Sequence, residues 1–164
     1  MRMPQTGRYG QLAGDGPRRV WPAAAGVEKH MVIRVLIAED DPAFRVTLAA
    51  LLGLEADIEV AATVASGDQV VSAALAHCPD VALLDIGLPG TDGLTAASEL
   101  AALLPACKVL ILTGLDRPGS LAAALEAGVL GYLLKDRPAS ALIGAIRSVA
   151  RGERVIDTRL GRPA

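Results

Sequence analysis

Five polar side chains that could do chemistry stand at the ends of apolar runs. Glu39 and Asp40 follow Val32–Ala38, Asp85 follows Val81–Leu84, Thr113 follows Lys108–Leu112, and Lys135 follows Val129–Leu134. Behind Asp85 comes a Gly/Pro loop with Gly87, Pro89, Gly90 and Gly93. If the runs are parallel strands, their C-terminal ends share one side of a sheet, and groups far apart in sequence converge on one crevice. Three carboxylates in that crevice crowd each other. Two unit charges about 4 Å apart repel by roughly 4 kcal/mol at an effective dielectric near 20, or around three pKa units. Such a site takes up protons or positive charge. Lys135 supplies one charge, and Mg²⁺ suits two carboxylates, a backbone carbonyl and several waters. A carboxylate nucleophile beside Mg²⁺, with the Thr113 hydroxyl and the Lys135 ammonium nearby, suits phosphoryl transfer, with Asp85 as the reacting residue. Neither a GxxxxGK[ST] loop nor a GxGxxG after the first run is present, so nothing supports a nucleotide site.

The elements that must position these groups alternate in type. The strand ending at Ala38 leads into a helix with Asp41 as N-cap, Pro42 in its first turn and an apolar face of Phe44, Val46, Leu48, Leu51 and Leu52. Ile58–Val64 reads as a second strand, and Ser66-Gly67-Asp68 opens a helix with Val70, Val71, Ala74 and Leu75 inward. The Asp85 strand is third. Thr91-Asp92 caps a helix with Leu94, Ala97, Leu100, Ala101 and Leu104 at helical spacing. A fourth strand ends at Thr113, residues 118–127 form a fourth helix, and Gly128 stops it. A fifth strand ends at Lys135, and Pro138 opens a fifth helix reaching about Gly152. The strands are continuous apolar runs, as expected of strands covered on both faces. The pattern predicts an α/β fold with a doubly wound five-stranded parallel sheet in a single domain.

Composition narrows the function. The chain has 164 residues, 52% hydrophobic and 21% charged, which suffices for a full core; aromatics are 2%, so an aromatic platform for bases or flavin is not expected. Residues 1–30 hold five basic and two acidic residues, for +3, and the remainder carries −5. An acidic domain is a poor nucleic-acid footprint, and no direct nucleic-acid binding is expected. Residues 1–30 are rich in Gly and Pro without an apolar period and read as a disordered extension, with Trp21 a bystander. Met31 opens the patterned chain and could itself be a translation start. Cys78 and Cys107 have no CxxC spacing and read as small buried hydrophobes, and His30 and His77 as linker or surface residues. No apolar run approaches the ~18 residues of a membrane span, and no signal-peptide core is present, so the expectation is a cytoplasmic protein without membrane contact.

Four segments, Val35-Leu-Ile-Ala-Glu-Asp-Asp, Leu83-Leu-Asp-Ile-Gly-Leu-Pro-Gly-Thr-Asp-Gly, Leu110-Ile-Leu-Thr and Gly131-Tyr-Leu-Leu-Lys-Asp, closely resemble the receiver domain of two-component response regulators. Each is weak alone; together, in order and register, they are specific. The acid pair and the Leu-Leu-Lys-Asp ending look most like the NarL/FixJ class, whose members usually carry a C-terminal helix-turn-helix. The resemblance implies a flavodoxin-like receiver over residues 31–152 that works as a phosphoacceptor rather than an enzyme. Asp85 would take a phosphoryl group from a sensor histidine kinase. Glu39, Asp40, Asp85 and the backbone carbonyl of Gly87 would hold Mg²⁺. Lys135 would contact the phosphoryl group, Thr113 would be the switch hydroxyl, and Tyr132 the aromatic that moves inward with it. Phosphorylation would alter a surface used for homodimerisation or partner docking, and in a full-length relative would control transcription.

Two departures stand out. Gly87 and Gly114 flank the site where larger residues are common, so water could reach a phosphoryl group more easily. Residues 153–164 read as a C-terminal tail, a truncated linker with no room for a helix-turn-helix. Two other functions compete. An aspartyl-nucleophile phosphohydrolase of the haloacid dehalogenase kind needs a second Asp two residues after the nucleophile, where this chain has Gly87. A phosphorylation-independent interaction module would have no use for a complete acid pocket.

Overall fold

The structure, a computed structural model, describes residues 32–114 and 117–160. The expectations for residues 1–30, for Met31 and for the last four residues of the tail lie outside the described residues. The chain runs β1 (Ile33–Ala38), α1 (Pro42–Gly53), β2 (Ile58–Val64), a 3₁₀ turn (Gly67–Gln69), α2 (Val70–His77), β3 (Val81–Leu84), α3 (Gly93–Leu103), β4 (Lys108–Thr113), α4 (Ser120–Glu126), β5 (Gly131–Leu134), α5 (Ala139–Ala150) and β6 (Val155–Ile156).

The strands form one sheet in the order β2-β1-β3-β4-β5-β6, and every neighbouring pair is parallel. Alternation along each strand divides the core in two. Leu36, Ala38, Ala82, Leu84, Ile111 and Tyr132 face one layer with buried residues of α2, α3 and α4. Val35, Ile37, Val81, Leu83, Leu110 and Leu133 face the other, with Leu48 and Leu52 of α1 and Leu142, Ile146 and Val149 of α5. All four residues of β3 are buried, which accounts for its unbroken apolar sequence. From β1 the chain moves outward to β2, then returns to β3 on the other side of β1. The C-terminal ends of β1 and β3 therefore flank the point where the winding reverses, where a doubly wound sheet opens a crevice.

The sheet has six strands where the sequence pattern predicts five. Gly131 and Tyr132 of β5 pair with Val155 and Ile156 of β6, and the Val155 and Asp157 N–H groups donate to the Leu130 and Tyr132 carbonyls at 2.9 and 2.8 Å. Two residues are too few to show a period, and charged Glu153, Arg154 and Asp157 around them mask the signal.

Local geometry also departs from the expected helix faces. Val46 is 67% exposed and Leu75 44% exposed, because each lies off its helix's buried stripe, Leu48 and Leu52 in α1 and Val70 and Ala74 in α2. Ala101 likewise faces solvent, while Ala96, Ala97 and Leu100 are buried. The segment opened by Ser66 begins as a 3₁₀ turn before α2. Cys78 and Cys107 are free and buried, and burial raises the Cys107 thiol to about 12, with the charge of Asp80 adding to the shift. His77 is exposed at the end of α2. No helix among the described residues is long and apolar enough to cross a membrane.

Candidate functional site

Glu39, Asp40, Asp85 and Lys135 meet at the C-terminal edge of the sheet. Each is the first or second residue after a strand, because a buried strand ends where the sequence first calls for solvent. One ligand oxygen from each of Glu39, Asp40 and Asp85 lies within 4.8 Å of the others. Lys135 comes off β5 and reaches past the end of β4. Its Nζ lies 2.8 Å from Glu39 Oε2 and 3.1 Å from Asp85 Oδ2. One ammonium thus bridges the ends of β1 and β3.

The three acids sit in different surroundings. The Glu39 side chain is 3% exposed and that of Asp85 12%, whereas Asp40 faces solvent. Burial pushes the Glu39 carboxyl above its ordinary range and the Asp85 charge adds to this, against the Lys135 ammonium and the Asp41 N–H, which donates to Glu39 Oε1 at 3.1 Å. Burial alone would lower Lys135; its bonds to Glu39 and Asp85 outweigh that and raise it. The ammonium therefore stays charged at neutral pH. Asp41 turns away from the cluster to cap α1, accepting the Ala43 and Phe44 N–H groups.

The loop after β3 is fixed by backbone. The Gly87 N–H donates to Asp85 Oδ1 at 3.3 Å, which holds Gly87 at the lip of the site. Gly93 opens α3 beneath Asp85, where a Cβ would lie 2.1 Å from the Asp85 carbonyl oxygen. The Gly67 N–H donates to the Pro89 carbonyl, and a Cβ there would lie 1.5 Å from the Thr91 carbonyl oxygen. Only glycine permits either approach.

The remaining expected residues lie around this centre. Thr113 ends β4, buried, and its carbonyl accepts the Lys135 N–H at 2.8 Å. Tyr132 is fully buried opposite Ile111 in the α2–α4 layer, three residues before Lys135 in the chain. Two contributors were not legible from the sequence. The Phe44 ring lies 4.7 Å from Lys135 Nζ, a cation–π contact that helps hold the ammonium. Arg45 Nη1 donates to the Glu39 carbonyl at 2.7 Å. Both belong to the first turn of α1, and its position directly after the acids was the available signal.

The carboxylates have the hard oxygen donors that Mg²⁺ prefers, and their negative charge exceeds what one lysine neutralises, so the residues fit that ion. A carboxylate held between an ammonium and a cation site can serve as a nucleophile towards phosphorus.

Residues 35–147 match the family model described as response regulator receiver domain. The transcriptional regulatory protein DesR of Bacillus subtilis is 44% identical over 129 residues, 79% of this chain and 64% of that protein. The oxygen regulatory protein NreC of Staphylococcus epidermidis is 38% identical over 78% of this chain and 59% of that protein. The chain thus spans about three fifths of the length of these relatives. A DNA-binding response regulator of the LuxR family from Staphylococcus aureus superposes with a TM-score of 0.69 at 31% identity, covering 73% of this chain and 99% of that one. By its matched segment, its relatives and its doubly wound sheet, the chain belongs to the response regulator receiver domain family.

Proposed function

We propose that Asp85 accepts a phosphoryl group from the phosphohistidine of a sensor kinase. One carboxylate oxygen attacks phosphorus, the bond to the histidine nitrogen breaks, and an acyl phosphate forms on Asp85. Glu39, Asp40, Asp85 and the Gly87 carbonyl would hold Mg²⁺, which when bound neutralises phosphoryl oxygens and lowers the barrier to attack. Lys135 exchanges its bond to the Asp85 carboxylate for one to the phosphoryl group. Thr113 then donates its hydroxyl to the same group, and Tyr132 follows in the layer beneath. The observation that carries this reading is the Lys135 ammonium bonded to Glu39 and Asp85 together, within a cluster of three acids.

The chain acts as a phosphoacceptor and not as an enzyme with an external substrate. It works in the cytoplasm, and its phosphorylated form presents an altered surface to a second copy or to another partner. The name of DesR, a transcriptional regulatory protein, supports an output in transcription, delivered without direct nucleic-acid contact by residues 32–160. Acetyl phosphate with Mg²⁺ tests the reading: wild type should gain one phosphoryl mass and Asp85→Asn none. Equal labelling of both would reject Asp85 as the acceptor.

A further inference from the structure

Asp157 is a covered charge just after the edge strand β6, and the family site does not use it. Its side chain is fully buried, yet it lies beyond the segment that matches the family. A carboxylate removed from water is costly unless its oxygens are filled, and here they are. Oδ2 accepts the Leu134 N–H at 3.2 Å and Arg137 Nε at 2.9 Å; Oδ1 accepts Arg137 Nη2 at 2.8 Å and the Arg159 N–H at 3.0 Å, with Arg159 Nε at 3.5 Å. Burial would raise the carboxyl, but these donors hold it well below the ordinary range, so it is ionised at neutral pH.

These bonds close around the turn that carries Lys135. Leu134 and Arg137 are bonded to Asp157 itself, and Asp136 is ion-paired with Arg159. The Arg137 guanidinium also donates to Thr158 Oγ1 at 3.0 Å. Lys135 lies between these anchors, with its N–H on the Thr113 carbonyl and its ammonium on Glu39 and Asp85. A side chain that must span from β5 to β1 is sensitive to the position of its own backbone. A rigid turn spares it the ordering cost that a mobile one would impose.

We propose that Asp157 is a positioning residue for Lys135: by clasping residues 134–137 it fixes the turn from which the lysine reaches Glu39 and Asp85, and so joins the phosphoryl site to the C-terminal segment beyond β6. That the lysine contacts a phosphoryl group rests on the function proposed above; that Asp157 holds it in place does not. Linkage is reciprocal, so a phosphoryl group that draws Lys135 inward would also shift the segment bonded to its turn.

The test uses the full, unphosphorylated chain. It has three lysines, and Lys108, at the opposite end of the sheet, serves as an internal standard. Brief acylation with acetic anhydride, read by mass spectrometry, gives the reactivity of Lys135 relative to Lys108. Asp157→Asn should raise that ratio about fivefold, as expected for loss of one charge-assisted hold. Arg159→Ala, a surface change that leaves the Arg137 pair, should raise it less, and it decides the matter alone if Asp157→Asn does not fold. A purely structural Asp157 would lower the melting temperature and leave the ratio unchanged in folded protein, and that result overturns the proposal. Because no phosphodonor is present, a chain that passes this test but takes no phosphate from acetyl phosphate would reject only the phosphoacceptor reading.

Discussion

Lys135 Nζ lies 3.1 Å from Asp85 Oδ2, although 50 residues separate them and a whole strand, β4, stands between the strands they follow. The same ammonium holds Glu39 at 2.8 Å. It therefore engages one oxygen of each of two carboxylates proposed to hold Mg²⁺. Lys135→Ala should have two opposite effects. The buried Glu39 carboxylate loses its partner, and unfolding in urea should show a loss of about 2 kcal/mol. Competition for the oxygens ends, and Mg²⁺ should bind about tenfold more tightly by calorimetry, the equivalent of ~1.4 kcal/mol.

Asp40 faces solvent and adds to a cluster already rich in negative charge. Asp40→Asn should raise the metal-free melting temperature by the equivalent of about 1 kcal/mol, the water-like end of Coulomb repulsion at contact distance. Adding 10 mM Mg²⁺ should then stabilise wild type but not the variant. Equal stabilisation of both in a thermal melt would remove Asp40 from the ligand set.

Gly87 is exposed, and a Cβ there meets nothing within 4 Å. A larger side chain therefore fits without strain and would cover the site. Gly87→Met should fold normally and lose its phosphoryl group several-fold more slowly in a ³²P decay assay. An unchanged lifetime would show that water reaches the acyl phosphate by another route.

Gly67 clasps the far side of the Asp85 loop through the Pro89 carbonyl. Gly67→Ala would drive a methyl carbon into the Thr91 carbonyl, which as backbone cannot swing away. The expected cost is about 2 kcal/mol of stability by urea denaturation, in the range of overpacked sites. Phosphorylation of the folded fraction should also slow, because the loop bearing Gly87 must shift.

The depressed carboxyl of Asp157 gives stability a pH dependence of known sign. A carboxyl lowered in the folded state contributes fully above its unfolded value near 4 and loses that contribution as pH falls toward its folded value. The melting-temperature gap between wild type and Asp157→Asn should be constant from pH 8 to 5 and shrink below pH 4. A gap that is level down to pH 3 would mean that Asp157 stabilises through packing alone.

Much of the fold and of the site is legible in the sequence. Apolar runs identified β1, β3, β4 and β5, interrupted only by Arg34 in β1 and opened by Lys108 in β4, because strands covered on both faces hold few polar residues. Their polar terminators named Glu39, Asp40, Asp85, Thr113 and Lys135, because a parallel sheet puts every C-terminal end on one side. Asp41 and Asp92 announced helix starts for local reasons and cap α1 and α3 as expected. Val46 and Leu75 face solvent although their apolar side chains predict the core, because apolar character alone does not say which side of a helix faces inward.

The order of elements and the chemistry delivered to one edge follow from local patterns in the chain, since burial and capping act over a few residues. Which groups touch is set by the packing of distant segments. That Lys135 bridges two acids, that Phe44 lies beside its ammonium, and that β6 brings Asp157 beneath the lysine's turn all depend on strand order and on packing between distant segments. Those distances are fixed by the reversal of winding between β1 and β3 and by the pairing of β6 onto the edge of the sheet at β5, and no local pattern encodes either.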